Sequence, residues 1–319
     1  MAALIASAVV VAAGVGVALV RSSSGLQRTE LLPPEARADP AGGADSVHGP
    51  LNFLLIGSDL RMETPGEGQR ADTIIVAHVS RSLDRAYLVS IPRDLLVEIP
   101  PVEEFDFGGD TTKINAAFDY GGGGTGGTRV LSLTLYQLMG VRFDGAAVVE
   151  FEGLRRAVDA LGGVELCVDV RVASIHTPRV FEPGCRVMNG DEVLDFLRQR
   201  AFLDGDFTRQ RHQQEFLRSF LERARSTGVV ANPFRLAALL DAMAASTTLD
   251  TGGVAIPDLI LALRNLGSDD LTGVQVPHYL DLVGGVSFVI ATDEAQGLYD
   301  AVRDDTLDEW AAQHPQWVS

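Results

Sequence analysis

Lysine is nearly absent from this chain of 319 residues: Lys113 is the only one, and the formal net charge at pH 7 is −17. Proteins that bind nucleic acid use a basic face to displace the counterions of the phosphate backbone. We therefore expect no nucleic-acid partner. A polybasic patch for anionic membrane surfaces is disfavoured for the same reason. Because the other basic residues are all arginine, a local arginine cluster would stand out from this acidic background.

Cysteine is also scarce, with only Cys167 and Cys185 in the sequence. The C-x-x-C and histidine spacings that are typical of zinc sites are missing. In an exported protein such a pair can form a disulfide, which stabilises the fold by about 3 kcal/mol on the chain-entropy estimate. We expect this disulfide, and two unpaired buried cysteines are the alternative.

Charge is missing altogether from residues 2–20, where Ser7 is the only polar side chain. At about 1.5 Å per residue this segment just spans a hydrocarbon core of roughly 30 Å. Arg21 and Arg28 follow it and no basic residue precedes it, which reverses the positive-inside rule. Either the true start lies upstream or this is a cleaved signal peptide. We expect an uncleaved transmembrane anchor at 2–20, in a single-pass protein of the cell membrane.

A linker and one folded domain are expected after the anchor. Residues 21–50 are rich in Pro, Ala, Gly, Ser and Asp without an apolar period, which is typical of a linker. The domain then covers residues 51–319 and lies outside the membrane. Its apolar runs alternate between strand and helix patterns, which favours an α/β fold with helices on both faces of a sheet.

Glycine is plentiful in one place, the run from Gly121 to Gly127 that Thr125 interrupts. This run lacks the Gly-Lys-Ser/Thr ending of a phosphate-binding P-loop, and no strand feeds it directly. We predict a flexible turn there, followed by a helix at 128–139.

Charged residues stand at the ends of three buried-type strands, at 51–57, 73–79 and 86–91. They are Asp59, Arg61, Arg70, Asp72, Arg93 and Asp94. Ligands of open α/β sheets bind at strand ends. This mixture of carboxylates and guanidinium groups suits a divalent cation together with an anionic phosphate.

A second charged segment runs from Leu197 to Gln214. Arg198 and Arg200 share a face if this stretch is extended, and Arg209 and His212 lie three apart on one helical face. Arginine suits phosphate because its planar group makes two parallel charge-assisted bonds. The alternative is pairing with surface carboxylates, and we expect it for Arg211, Arg218, Arg223 and Arg225.

Six motifs, in order, resemble the LytR-CpsA-Psr family of cell-wall enzymes, with an actinobacterial character. They are Gly57–Arg61, Arg70–Thr73, Ser90–Asp94, Lys113–Ala117, Asp159–Val164 and the segment 197–214. The resemblance extends from about Leu51 to the C-terminus. It implies a layered α-β-α fold with a central mixed sheet.

The resemblance also implies an activity. Such an enzyme moves a glycopolymer from a polyprenyl-pyrophosphate carrier to the C6 hydroxyl of N-acetylmuramic acid in peptidoglycan. Its magnesium ion would be held by Asp59 and Asp72. The residues assigned to the pyrophosphate are Arg61, Arg70, Arg93, Arg198, Arg200 and Arg209. Those assigned to catalysis are Asp59, Arg93, Asp206 and Arg209, with Asp59 or Asp206 as the general base.

One position departs from the family pattern. Many relatives read Arg-x-x-Arg-Gln-Gln where this chain runs from Arg209 to Gln214, so His212 takes the place of the second arginine. We do not assign that arginine's role to His212. Two other functions stay open: a hydrolase of the same pyrophosphate linkage, and a lipid-binding or regulatory protein without catalysis. Phenylalanines that line a lipid groove in the family cannot be separated from ordinary core; they are Phe151, Phe196, Phe216 and Phe220.

Overall fold

A computed structural model describes residues 27–39, 47–58, 69–199, 206–229 and 232–319. The expected anchor at 2–20 lies outside the described residues, as do Asp59, Arg61 and Arg200. No helix within the described ranges has the length and apolar character to cross a membrane.

The expected domain at 51–319 comprises two compact units. The first, called the sheet unit here, contains Arg28–Glu150, Thr248–Val254 and Thr272–Ser319. The second, called the helical unit, contains Phe151–Thr247 and Ala255–Leu271.

The strands are short, and most of the longer ones belong to the sheet unit. In chain order they are β1 (Gln27–Arg28), β2 (Leu51–Ser58), β3 (Ala71–Val79), β4 (Ala86–Ile91), β5 (Leu96–Ile99), β6 (Asp110–Lys113), β7 (Gly145–Glu150), β8 (Val164–Val168), β9 (Val172–Ala173), β10 (Val180–Phe181), β11 (Gly184–Met188), β12 (Thr247–Asp250), β13 (Leu271–Gln275), β14 (His278–Val283) and β15 (Val286–Ala291).

The helices follow the same order along the chain. They are α1 (Asn115–Tyr120), α2 (Gly124–Met139), α3 (Phe151–Ala160), α4 (Gly190–Leu197), α5 (Asp206–Ser226), α6 (Pro233–Met243), α7 (Ile256–Ala262), α8 (Asp293–Asp304) and α9 (Leu307–Gln313). Short 3-10 helices occur at Glu103–Phe105, Ala244–Ser246 and Pro315–Trp317.

Seven of the described strands form the central sheet, in the order β1-β12-β7-β2-β3-β4-β13. Strand β2 pairs in parallel with β7 and antiparallel with β3, and β3 pairs antiparallel with β4. Every residue of β4 is buried, and most of β2 and β3 is buried too. Runs this apolar fit strands that are covered on both faces. The predicted α/β class and its central mixed sheet are confirmed.

The glycine-rich run differs from the prediction. Only its first residues form a turn, and helix α2 begins at Gly124 rather than at residue 128. A Cβ on Gly127 would lie 2.8 Å from the ring of Phe118, so α1 and α2 pack closely only because this glycine has no side chain. The local rule that glycine disfavours helices gives way to this close packing.

The segment 21–50, expected to be a linker, is partly built into the sheet unit. Leu31 and Leu32 are buried, and the carboxylate of Asp250 accepts hydrogen bonds from both of their backbone amides, at 2.8 and 3.2 Å. Arg37 pairs with the same carboxylate at 2.9 Å. The linker prediction is therefore wrong for these residues. Its failure has a simple cause: the partner that orders them lies more than 200 positions along the chain.

In the helical unit, β8 and β11 pair antiparallel with Cys167 opposite Cys185, and the two form the predicted disulfide. Helix α5 packs on β8, and α3 packs on α4 and α6. The apolar residues of α5 at helical spacing are buried; they are Phe216, Leu217, Phe220 and Leu221. Helix α4 begins with a capping box, in which Asn189 accepts from the amide of Glu192 and Glu192 accepts from the amide of Asn189.

Candidate active site at one end of the sheet

The pairing of the strands gathers the predicted strand-end residues of the sheet unit. Because β2 and β3 run antiparallel, the last residue of β2, Ser58, lies opposite Ala71 at the start of β3. Because β2 and β7 run parallel, Ser58 also lies beside Glu150, the last residue of β7. Strand β4 ends at the same place. We call this group the charged end of the sheet; its members are Ser58, Asp72, Arg93, Asp94, Lys113 and Glu150.

Asp72 stands at an irregularity of the β2–β3 ladder. Gly57 pairs with Thr73 and Ser58 pairs with Ala71, so Asp72 is an extra residue on β3. Such bulges turn a side chain out of the regular alternation and are common beside active sites. Gly57 permits this arrangement, because a Cβ at this position would come within 2.9 Å of the Thr73 Cβ.

Arg93 connects the carboxylates at the charged end. It donates a hydrogen bond to Asp72 and lies 3.6 Å from Asp94. The Asp94 carboxylate in turn lies 3.0 Å from the ammonium nitrogen of Lys113. The side chains of Arg93 and Asp72 are only 15% and 16% exposed, so this pair is largely shielded from water. The structure therefore places Asp72, Arg93 and Asp94 together, as the sequence predicted.

Backbone bonds hold the only lysine in this position. The amide of Ile114 donates to the carbonyl of Leu95 at 2.9 Å, and the amide of Asn115 donates to the carbonyl of Arg93 at 3.1 Å. The Lys113 ammonium also lies 5.6 Å from the centre of the Phe288 ring. Backbone hydrogen bonds therefore join the motif around Lys113 to the residues that follow β4.

Glu150 is a member that the sequence analysis missed. Its position beside Ser58 follows from the parallel pairing of β2 and β7. Partial burial raises the pKa of its carboxyl group above the ordinary value. The rule that ligands bind at strand ends could have found it, since Glu150 ends the next parallel strand.

The oxygen atoms at the charged end fit a hard divalent cation. The hydroxyl of Ser58 is buried and has no hydrogen-bond partner in the part of the chain that the structure describes. It neighbours the start of β3, where Asp72 supplies a carboxylate. Across the described ranges, no group of three or more His, Cys, Asp or Glu is arranged to hold a metal. Magnesium usually binds through one or two carboxylates together with water and substrate phosphates, so Ser58 and Asp72 could hold it only together with such ligands.

Arg70 is exposed and lies next to Gln69, whose side chain has a structural role. The Gln69 side-chain oxygen accepts a hydrogen bond of 3.1 Å from the amide of Gly124. It therefore satisfies one of the free amides at the N-terminus of α2. This hydrogen bond connects the segment before β3 with the glycine-rich run. It explains how that run is held in place, where the sequence predicted only a flexible turn.

The helical unit carries the second group of predicted residues. Arg198 is not in an extended stretch as the shared-face argument with Arg200 required: it caps the C-terminus of α4 with helical backbone angles. Its guanidinium carbon lies 4.7 Å from the centre of the Phe151 ring. Asp206 is the first residue of α5.

Arg209 and His212 lie on the buried side of α5, only 3% and 4% exposed. The His212 ring stacks on Phe196, with the ring centres 4.6 Å apart. An aromatic contact thus occupies the position at which many relatives have arginine. Phe196, Phe216 and Phe220 are fully enclosed core residues. By contrast Arg211 is exposed, and it donates a hydrogen bond of 2.6 Å to the hydroxyl of Thr208.

A buried polar network beside Arg198 was not predicted. The carboxylate of Asp195 is 3% exposed and accepts hydrogen bonds from Ser174, Thr177 and Gln199, at 2.6 to 2.8 Å. The side-chain oxygen of Gln199 also accepts a hydrogen bond of 3.1 Å from the amide of Ile175. These bonds hold Gln199, the residue before the predicted site arginine Arg200, against the last turn of α4. Nothing in the local sequence pattern separates Asp195 from a surface carboxylate.

Comparison with known proteins shows that this chain is similar to cell-wall proteins. The model of the LytR_cpsA_psr family matches residues 23–303. The probable cell wall biosynthesis protein LcpB of Corynebacterium glutamicum is 30% identical over 88% of this chain and 66% of its own length, so the chain spans just under two thirds of that relative. The polyisoprenyl-teichoic acid–peptidoglycan teichoic acid transferase TagU of Oceanobacillus iheyensis is 25% identical over 76% of this chain and 72% of its own.

Solved structures share the fold. TagT bound to LIIa-WTA superposes with a TM-score of 0.64 at 19% identity, over 85% of this chain and 95% of TagT. At this identity the likeness establishes the fold alone.

Proposed function

The chain belongs to the LytR-CpsA-Psr family, and from that premise we propose that it is a phosphotransferase that attaches a glycopolymer to peptidoglycan. The donor is a glycan linked to a polyprenyl pyrophosphate, and the acceptor is the C6 hydroxyl of N-acetylmuramic acid. The catalytic domain acts outside the cell membrane, to which the apolar segment 2–20 anchors it. The similarity to LcpB and TagU, whose names concern cell-wall synthesis and teichoic acid transfer, supports this proposal.

The observation that carries the proposal is the shielded pair of Arg93 and Asp72 at the bulge of β3. A guanidinium group that is already desolvated and held by a carboxylate is positioned to bind phosphate oxygens through two parallel bonds. Lys113 pairs with the carboxylate of Asp94 and adds a second positive charge.

Charge balance at the charged end supports the need for a cation. Its members carry two positive side chains and three carboxylates, so a pyrophosphate binds there only with additional positive charge. Ser58 and Asp72, with Asp59 directly after Ser58 in the sequence, are the residues that would hold magnesium. When bound, magnesium would stabilise the charge that develops on the leaving phosphate. Arg198, Arg200 and Arg209 are the other arginines that the family resemblance assigns to the pyrophosphate.

The reaction requires one proton transfer. The acceptor hydroxyl attacks the phosphorus atom next to the glycan, the bond to the bridging oxygen breaks, and polyprenyl phosphate leaves. A general base takes the hydroxyl proton. Glu150 joins Asp59 and Asp206 as a candidate, because burial raises its pKa toward the range in which a base is effective.

Two rival functions use the same residues. A hydrolase would deliver water instead of the muramic acid hydroxyl. A lipid-binding regulator would bind the pyrophosphate without turnover, and the name of the related regulatory protein MsrR of Staphylococcus aureus keeps this alternative relevant.

A transfer assay separates the three functions. Wild-type protein is incubated with a synthetic polyprenyl-pyrophosphate glycan, magnesium and peptidoglycan, and covalent glycan–peptidoglycan is measured. Arg93→Ala and Arg209→Ala each remove a charge-assisted contact worth roughly 1.5–3 kcal/mol. If that contact forms mainly in the transition state, the rate falls about tenfold to a hundredfold.

Arg85→Ala is the matched control for Arg93→Ala. Arg85 precedes β4 at the opposite end of the strand and pairs with Asp308 on the surface, so its loss should leave the rate unchanged. Glycan phosphate released without an acceptor product would establish the hydrolase. Lipid binding without turnover, insensitive to magnesium, would establish the binding protein and refute the proposal.

A further inference from the structure

The hairpin of β14 and β15 projects apolar side chains into solvent. We call Tyr279, Leu280, Leu282, Val283 and Val286 the apolar tip; these residues are between 45% and 69% exposed. Between Tyr279 and Ser287 the only charged residue is Asp281, although 22% of the whole chain is charged. An exposed apolar cluster of this kind marks a contact surface.

Residues of the apolar tip lie on both faces of the hairpin. Tyr279, Val283 and Val286 lie on one face, since Val283 pairs with Val286 and strand side chains alternate. Leu280 and Leu282 lie on the other face by the same alternation. A protein partner that packed on one face would leave the second face in water. A lipid bilayer, in contrast, surrounds an inserted tip on all sides.

The hairpin is joined to the charged end of the sheet at Val289, which pairs with Leu280. The amide of Val289 donates to the carbonyl of Asp94 at 3.0 Å, and Leu95 forms a bridge with Val289. Phe288, two residues after Val286, lies under the Lys113 ammonium. The apolar tip is therefore tied to the residues that bind pyrophosphate in the proposed function.

We propose that the apolar tip enters the lipid bilayer at the boundary of headgroups and acyl chains and holds the charged end at the membrane surface. This inference rests on the proposed function, because the pyrophosphate of a polyprenyl carrier lies at that surface while its chain lies in the bilayer. Insertion is shallow. The hairpin is a two-stranded sheet, and a two-stranded sheet has open edges whose backbone groups cannot be left unsatisfied in the hydrocarbon core.

Quenching of tryptophan fluorescence by brominated lipids tests the proposal on the full chain in phosphatidylcholine vesicles. Leu282→Trp places the reporter on the tip, and wild type gives the background of Trp310 and Trp317. We expect blue-shifted emission, with stronger quenching by bromines near the headgroups than by bromines near the chain ends. Phe234→Trp is the control, because Phe234 is 66% exposed and Leu282 is 69% exposed. Absent quenching at Leu282→Trp, or equal quenching of both variants, would overturn the proposal.

A turnover experiment tests the consequence. In the double variant Leu280→Ser, Leu282→Ser, transfer from a long-chain donor in vesicles should fall about tenfold or more, as the loss of two apolar contacts predicts. Transfer from a short-chain, water-soluble donor should equal that of wild type. Equal loss with both donors would overturn the inference. If wild type turns over neither donor, the proposed function fails, and the quenching result still decides whether the tip enters lipid.

A second copy of this chain is the remaining candidate for a partner that covers the apolar tip. Sedimentation of the detergent-solubilised full chain should show the same mass for wild type and the double serine variant. A wild-type dimer that the two serines dissociate would assign the apolar tip to contact with a second copy and overturn insertion.

Discussion

Replacing Asp72 with asparagine tests whether the charged end of the sheet depends on a shielded ion pair. The substitution keeps the size of the side chain and still offers Arg93 one neutral acceptor. It removes the negative charge that faces Arg93. The side chains of Arg93 and Asp72 are both at least 84% covered there. Asp94, at 3.6 Å, remains as a second and longer partner of the guanidinium group.

The magnitude follows from that geometry. A hydrogen bond to a charged group contributes about 1.5–3 kcal/mol, and a neutral one about 1 kcal/mol. The exchange should therefore cost about 0.5–2 kcal/mol. For units of this size each kcal/mol lowers the melting temperature by about 2–4 °C, so Asp72→Asn should melt about 1–8 °C below wild type.

Thermal unfolding followed by circular dichroism measures the effect, and a double-mutant cycle with Arg93→Met isolates the pair. Glu182→Gln is the control, since Glu182 pairs with Arg171 at 3.1 Å where both side chains are more than 60% exposed. An exposed pair is worth less than about 1 kcal/mol. If Asp72→Asn loses no more stability than the control, or the cycle shows no coupling, the ion pair is not structural and the reasoning about a preformed phosphate site is refuted.

Three further predictions concern the bulge, an acidic group and the disulfide. Gly57→Ala should cost about 1–3 kcal/mol in urea unfolding, because its Cβ would lie 2.9 Å from the Thr73 Cβ; an unchanged stability would show that the bulge does not depend on the glycine. Burial raises the pKa of Asp144 from 3.8 to about 6, so the folded state binds a proton more tightly than the unfolded state, and stability falls as pH rises through that interval. Asp144→Asn should remove a fall of about 3 kcal/mol between pH 4 and 7 in a series of urea titrations, and a profile that keeps its slope would contradict the assignment. Protein taken from cells should alkylate at Cys167 and Cys185 only after reduction, as intact mass reports; two thiols that react without reduction would exclude the disulfide.

The effect of magnesium on the melting temperature tests the proposed cation site. The ion should raise the melting temperature of wild type, because in the proposed function it binds Asp72 and Asp59, and two ionised carboxylates that share a site repel each other unless a cation is bound. Asp72→Asn should abolish that increase. An increase of the same size in the variant would remove Asp72 from the metal site, while leaving its ion pair with Arg93 untouched.

Local patterns were sufficient for the elements of the fold. The apolar runs predicted β2, β3 and β4 within two residues, because strands buried on both faces need continuous apolar sequence. The start of α4 likewise depends on a short local pattern, the capping box of Asn189 and Glu192. The same patterns failed for Leu31 and Leu32, and for the start of α2 at Gly124, where the deciding contacts come from distant parts of the chain.

By itself the sequence determined the α/β class, the disulfide partners and the chemistry of the strand ends, since each depends on residue type, spacing or a short run. Only the tertiary structure decided that Asp72 occupies a bulge, that Glu150 joins the charged end and that His212 stacks on Phe196. These facts depend on strand register and on packing between residues far apart in sequence. A one-residue change of register leaves the pattern of a strand intact and still moves each side chain to the other face. Local sequence therefore names the groups at the site, and the pairing of the strands decides which of them meet.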